Sequence, residues 1–219
     1  ATSESAPLAL RFALTVPEVV LRRPVPCAPR LKTATPSFDG ALRLHFHSRG
    51  AISNLYLEPQ PALSRGDGEV LLRVRAVGLN CRDVLNVLGE YPGDPGPPGG
   101  DTAGVVADTT GACAFGLAHA PLASVARATM LLLAHKPLAL GFEQACTLPV
   151  TWSTTHAALE RAALHARGSF VAQAAAGGVG LKVVEYAQWL YASTVGTAGR
   201  PQKHAQLRAT GVNALCSSR

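Results

Sequence analysis

The stretch Gly168-Ser169-Phe170-Val171-Ala172-Gln173-Ala174-Ala175-Ala176-Gly177-Gly178-Val179-Gly180 decides the fold. Its first six residues hold a short apolar run, Phe170-Val171-Ala172. Three alanines and three glycines then make a turn. Residues 181–191 follow, with Val184, Ala187 and Leu190 on one side of a helix. A short apolar run that gives way to helical spacing across a glycine-rich turn reads as strand, turn and helix. Outward from there, residues 192–198 read as a second strand, 201–210 as a second helix and 212–216 as the opening of a third strand. The order β-α-β-α-β predicts an α/β fold with half of a doubly wound parallel sheet.

The turn carries chemistry as well as shape. Ala174, Gly177 and Gly180 recur at every third position between a strand and a helix. Small residues there allow a tight turn and let the backbone approach a pyrophosphate at the helix N-terminus. Ala176, Gly177, Gly178, Val179 and Gly180 are therefore candidate cofactor-binding residues. The alternative is a turn selected only for helix–strand packing. A mononucleotide P-loop is excluded, because Gly180-Leu181-Lys182-Val183 lacks the Gly-Lys-Ser/Thr arrangement.

The end of the second strand bears on which dinucleotide is bound. Folds that prefer NAD place an acid there for the ribose 2′-hydroxyl. Thr194-Val195-Gly196-Thr197-Ala198-Gly199-Arg200-Pro201-Gln202-Lys203 contains no acid. Thr197, Arg200 and Lys203 become candidates for the adenosine side, and the two cations suit a 2′-phosphate. This predicts NADPH. The alternative is that Arg200 and Lys203 are solvated residues of a helix's first turn.

The N-terminal half has a different texture. Residues 1–38 are rich in Pro, Ser and Ala and read as a linker. Leu42, Leu44 and Phe46 alternate with Arg43, His45 and His47, which predicts a half-buried strand. His45 and His47 then share a face, either as a metal pair or as two solvated histidines, and no third ligand is evident. Residues 69–77 read as another strand, 78–89 as a loop opening into a short helix, and 103–107 as a strand. Residues 91–100 hold too many Pro and Gly to be regular. Residues 142–148 and 152–164 read as two helices separated by Pro149. The chain divides into a linker, 1–38, a mostly β part, 39–145, and the βαβ part, 146–219.

Bulk properties narrow the function. The 219 residues are 47% hydrophobic and 16% charged, enough for a real core. The formal charge of +6 comes from scattered residues without a nucleic-acid-binding motif, so no nucleic acid is expected. A phosphorylated cofactor and a phosphopantetheine-linked substrate suit that charge, as does ordinary surface chemistry. The five cysteines form no CxxC pair, which predicts neither a disulfide framework nor a zinc ribbon and fits a reducing, cytoplasmic setting. The apolar run Met130-Leu131-Leu132-Leu133-Ala134 is cut by His135 and Lys136, so no membrane span is expected. No Gly-x-Ser-x-Gly elbow argues for a hydrolase.

Five segments occur in a telling order: Val77-Gly78-Leu79-Asn80-Cys81-Arg82-Asp83-Val84-Leu85, Tyr91-Pro92-Gly93, Gly99-Gly100-Asp101-Thr102-Ala103-Gly104-Val105-Val106, Leu148-Pro149-Val150-Thr151 and the turn ending at Gly180. Together they resemble the enoyl reductase domains of modular type I polyketide synthases, and more distantly quinone oxidoreductases, within the medium-chain dehydrogenase/reductase superfamily. The resemblance runs from about Gly40 to Arg219. It implies a GroES-like mostly β domain followed by a Rossmann domain, here partial.

The resemblance also implies roles. NADPH would reduce an α,β-unsaturated thioester held by an acyl carrier protein, among the other domains of a synthase, with a homodimer left open. Tyr91 matches a tyrosine near the substrate α-carbon in some relatives and is the candidate catalytic residue. The alternatives for it are packing beside Pro92 or touching nicotinamide. Asn80 and Thr154 align with nicotinamide contacts, and Ser218 and Arg219 with adenosine contacts. No metal is expected, because zinc-dependent cousins place a Cys where Asn80 stands and a His-Glu pair in place of Gly100-Asp101.

Departures from the pattern are Cys81 for a usual Phe, Thr102 for a frequent Cys, and a segment 109–115 without the usual Gly-Asp turn, which implies a short deletion. Relatives also carry a lysine, an aspartate and later strands beyond the position of Arg219. The resemblance therefore implies C-terminal truncation, with the third strand left as an open edge. Two other readings stay open: a stand-alone zinc-independent quinone or enone reductase, and a non-catalytic remnant.

Overall fold

The computed structural model describes residues 20–22, 25–27, 39–107 and 111–218. The chain divides into two units, Ala1–Ser37 and Phe38–Arg219. In the first, β1 (Val20–Arg22) pairs antiparallel with β2 (Val25–Cys27). The rest of the expected linker lies outside the described residues.

The second unit begins with an antiparallel pair, β3 (Leu42–Phe46) and β4 (Leu55–Pro59). Five more strands follow: β5 (Glu69–Gly78), β6 (Asp101–Val106), β7 (Cys113–Leu117), β8 (Val125–Thr129) and β9 (Leu133–His135). They form one antiparallel sheet in the order β8-β5-β6-β7-β9. A register shift between Val74 and Ala76 bends β5 against β6, as bulges do. The β3–β4 pair is a separate two-stranded sheet that bonds the segment just before β8, with Leu44 N–H donating to the Leu122 carbonyl and Ser124 N–H to the Leu42 carbonyl, both at 2.7 Å. Helix α1 (Cys81–Leu88) leaves the end of β5 and stops at Gly89, whose φ of 72° gives it the left-handed cap that glycine supplies at least cost.

Four of these strands, β4, β7, β8 and β9, are not legible in the sequence. The inward positions of β7 and β8 are small: Ala114 and Gly116 in one, Ala126 and Ala128 in the other. Small inward residues suit a tightly curled sheet but give a weak alternation signal. A Cβ on Gly116 would overlap the Leu132 carbonyl of β9's approach, so the close pairing requires glycine there. Thr109 and Thr110, where a deletion is implied, lie outside the described residues.

The αβ part starts with α2 (Phe142–Ala145), one turn long rather than the seven residues expected, and α3 (Pro149–Arg161). Pro149 does not separate two helices as expected. It opens α3 at the first helical position, where its missing N–H costs nothing. The strands β10 (Ser169–Ala172), β11 (Ser193–Ala198) and β12 (Ala214–Ser217) are parallel in the order β10-β11-β12. Helices α4 (Gly178–Trp189) and α5 (Pro201–Ala209) connect them. Ala172, Ala175, Val184, Ala198 and Leu207 form the buried core of this part.

The third strand, β12, is an outer strand, as expected, and the order makes β10 the other outer strand. Both outer strands are edges among the described residues, and β10 borders a cavity of about 700 Å³ shared with α3 and the start of α4. No helix of the described residues is long and apolar enough to cross a membrane.

Candidate functional site

The glycine-rich turn sits at the C-terminal end of β10. Ala174 takes a positive φ of 49°, a left-handed conformation that costs a non-glycine residue about 1 kcal/mol. It is held there by its neighbours. Ala174 N–H donates to Thr197 Oγ1 at 3.2 Å, and Ala175 N–H donates to the Thr197 carbonyl at 3.0 Å. Gly177 N–H returns to the Ala174 carbonyl at 2.8 Å. Gly177 is then the N-cap of α4, and the first helical bond runs from Leu181 N–H to the Gly177 carbonyl.

This geometry leaves the N–H groups of the first turn of α4 without helical partners, as at any helix start. Gly178, Val179 and Gly180 supply three of them. Gly180 is buried, and a Cβ on it would meet the Ala174 carbonyl oxygen at 2.5 Å and the Ala175 Cα at 2.6 Å. The arrangement is a donor-lined concavity at the positive end of a helix, which suits an anion such as pyrophosphate.

Because the three strands are parallel, their C-terminal ends lie on one side. Thr197 is the penultimate residue of β11, with its hydroxyl already committed to Ala174. Arg200 is the exposed N-cap of α5, and Lys203 is exposed in its first turn. No ion pair to an acid is seen at either among the described residues. Ser218 follows β12 and donates its N–H to the Ala198 carbonyl at 3.3 Å. Arg219 lies outside the described residues. His204, which the sequence does not single out, hydrogen-bonds the same Ala198 carbonyl through Nε2 at 2.6 Å and so steadies the end of β11.

The second cluster lies where β5 and β6 meet α3. Asn80 is the N-cap of α1, and its backbone N–H donates to Asp83 Oδ2 at 2.8 Å. Its side-chain Nδ2 donates to Asp101 Oδ2 at 2.9 Å. The other oxygen of Asp101, Oδ1, accepts from Val150 N–H at 2.7 Å, in the first turn of α3. Asp101 is 2% exposed. Burial pushes its carboxyl above the usual range, the bonds from Asn80 and Val150 oppose that, and nearby Asp83 adds to it. Gly78 permits this crowding: a Cβ there would overlap the Cys146 carbonyl and stand 2.8 Å from the Asp101 Cβ.

Tyr91 is half-buried at the start of the Pro/Gly-rich segment. The Arg82 guanidinium lies 5.8 Å from its ring centroid, and Arg82 Nη2 donates to the Pro95 carbonyl. That segment is tied down by Asp83 Oδ1, which accepts from Gly99 N–H at 2.7 Å, and by Asn86 Nδ2, which donates to the Gly96 carbonyl at 2.9 Å. Thr154 is exposed on α3, beside the fully buried Thr155.

The structure thus brings the turn and Thr197 together by hydrogen bonds, and joins Asn80 to the helix that carries Thr154 through Asp101. No hydrogen bond links the Tyr91 side chain to Asn80, Thr154 or the turn. Asp101, Arg82 and Asp83 lie inside the quoted motifs, but the sequence alone assigns them no role. An acid opening a strand whose other residues carry no charge is the signal available for Asp101. His45 and His47 both pack on Tyr56, with ring centroids 5.8 and 4.0 Å apart. Among the described residues no three His, Cys, Asp or Glu side chains cluster as metal ligands.

No protein-family profile matches the chain. Curated relatives and solved structures do. The chain is 37% identical over 212 residues to erythronolide synthase EryA2 of Saccharopolyspora erythraea, covering 90% of this chain and 6% of that one. Among solved structures, the CurK enoyl reductase is 30% identical with a TM-score of 0.76, over 83% of this chain and 60% of that one. The quinone oxidoreductase of Thermus thermophilus, solved also in complex with NADPH, is 31% identical with a TM-score of 0.70, over 80% of this chain and 59% of that one. The chain therefore spans a small part of the synthase and about three-fifths of the solved reductases. The chain is homologous to modular type I polyketide synthases, and its fold is that of the enoyl reductases and quinone oxidoreductases of the medium-chain dehydrogenase/reductase superfamily.

Proposed function

We propose that the chain works as an NADPH-dependent enoyl reductase, acting in the cytoplasm on an α,β-unsaturated thioester carried by an acyl carrier protein, alongside the other domains of a polyketide synthase. The observation that carries this reading is the donor-lined turn at Gly177–Gly180, bonded through Ala174 and Ala175 to Thr197 of β11, after which the chain places two cations and no acid at the start of α5. The fit to a dinucleotide rests on that turn: Gly180 leaves no room for a side chain, and the helix N-terminus favours negative charge.

Bound NADPH would supply hydride to the thioester β-carbon. The N–H groups of Gly178, Val179 and Gly180 would hold its pyrophosphate, with Ala176 and Gly177 shaping the approach. Thr197 fixes the turn, while Arg200, Lys203 and Ser218 would face the adenosine and its 2′-phosphate. Asn80 and Thr154 would orient the nicotinamide. Tyr91 would donate its phenol proton to the substrate α-carbon. No metal is assigned a part in this chemistry. We place the substrate-proximal β part at 39–145 and the nucleotide-binding part at 146–219.

A crotonyl-thioester assay that follows NADPH consumption tests the reading. Turnover with the thioester supports it. Turnover with a quinone or simple enone and none with the thioester would move the chain to the quinone-reductase reading, which the likeness to the Thermus enzyme favours.

A further inference from the structure

Asp101 is a buried carboxylate without a cationic partner among the described residues; its two oxygens are each engaged by one neutral donor. A buried acid is expensive, and its hydrogen bonds do not repay more than part of that cost. Its three attachments are distinctive. The backbone of Asp101 belongs to β6, Oδ2 holds the side chain of Asn80, and Oδ1 holds the first turn of α3 at Val150. Helix α3 carries Thr154 and packs against α4, whose N-terminus is the glycine turn. One carboxylate therefore ties the side chain of one candidate nicotinamide contact to the helix that bears the other.

We infer that Asp101 is a positioning residue that fixes the amide of Asn80 with its carbonyl oxygen toward the nicotinamide and sets it in register with α3. This rests on the NADPH reading above. The donor count makes it specific. A carboxylate offers only acceptors, so both Val150 N–H and Asn80 Nδ2 can donate to it, and Asn80 is held in one of its two flips. An asparagine at 101 offers one oxygen and one amide nitrogen. With its oxygen on Val150, its nitrogen faces Asn80 Nδ2, two donors in opposition, and Asn80 must turn over. The group it shows the nicotinamide then changes from acceptor to donor.

The test uses the full chain and two probes, NADPH and 2′,5′-ADP, which shares its adenosine end. In D101N, NADPH affinity falls about tenfold or more while 2′,5′-ADP affinity stays within about twofold, the scale of a hydrogen bond replaced by an opposed pair. N80D, which faces two carboxylates, shows the same split. The double variant N80D/D101N restores the bond with donor and acceptor exchanged and again shows an oxygen outward, and it recovers NADPH binding to within about threefold, a coupling that independent sites would not show. Additive losses in the double variant, equal losses for both probes, or failure of both D101N and the double variant to fold would overturn the inference. A folded wild-type chain that binds neither probe would instead remove the NADPH reading, and this inference with it.

Discussion

A side-chain carbon on Gly180 would stand 2.5 Å from the carbonyl oxygen of Ala174. The first turn of α4 thus approaches the end of β10 about as closely as two backbones can, and a dinucleotide would have to pass over this contact. Gly180→Ala should cost about 1–3 kcal/mol of stability, in line with overpacking against backbone that cannot move aside. It should also weaken NADPH binding. Chemical denaturation and a binding titration of the variant check both, and an alanine accepted without loss would show that the contact is slack.

Arg200 and Lys203 are cations at the start of the helix that follows β11. Replacing both with alanine should lower NADPH affinity about tenfold, or about 1.4 kcal/mol, with NADH affinity unchanged. Isothermal titration with each cofactor reads the difference. Equal losses for both would mean the pair contributes general positive charge rather than recognition of a 2′-phosphate.

Tyr91→Phe removes the hydroxyl and keeps the ring that faces Arg82. Turnover of an enoyl thioester should fall about a hundredfold, the scale of a lost general acid, with NADPH affinity preserved. Unchanged turnover would leave Tyr91 as a packing residue.

How much of the fold and site is legible in the sequence depends on the distance over which each feature is encoded. The three parallel strands and the turn are legible, because a helical period and a glycine turn are local patterns. Strands β7 and β8 are not, because Ala114, Gly116, Ala126 and Ala128 fill their inward positions and barely raise the alternation. Pro149 reads as a break, although its place at a helix start is decided by the chain before it. The Asp101 bridge is out of reach for a different reason. Its partners lie 21 and 49 residues away, and only the folded chain brings them together.

Asp101 also gives a pH signature. Its carboxyl is raised from 3.8 by burial, so the folded chain holds that proton more tightly than the unfolded chain does. Its contribution to stability is therefore full below the ordinary carboxylate value and is lost as pH rises toward the raised one. Thermal melts across the acidic range should show wild type losing stability relative to D101N as pH increases, with the difference flat above the raised value. A difference that grows in wild type's favour would contradict the burial described here.

The measurement that bears most directly on an NADPH site is a fluorescence titration of the folded wild-type chain with NADPH and, separately, with NADH. Micromolar binding of NADPH with NADH at least about tenfold weaker is the predicted result. A folded chain that binds neither, or that prefers NADH, would contradict the assignment of the Gly177–Gly180 turn and the Arg200–Lys203 pair to a phosphorylated dinucleotide.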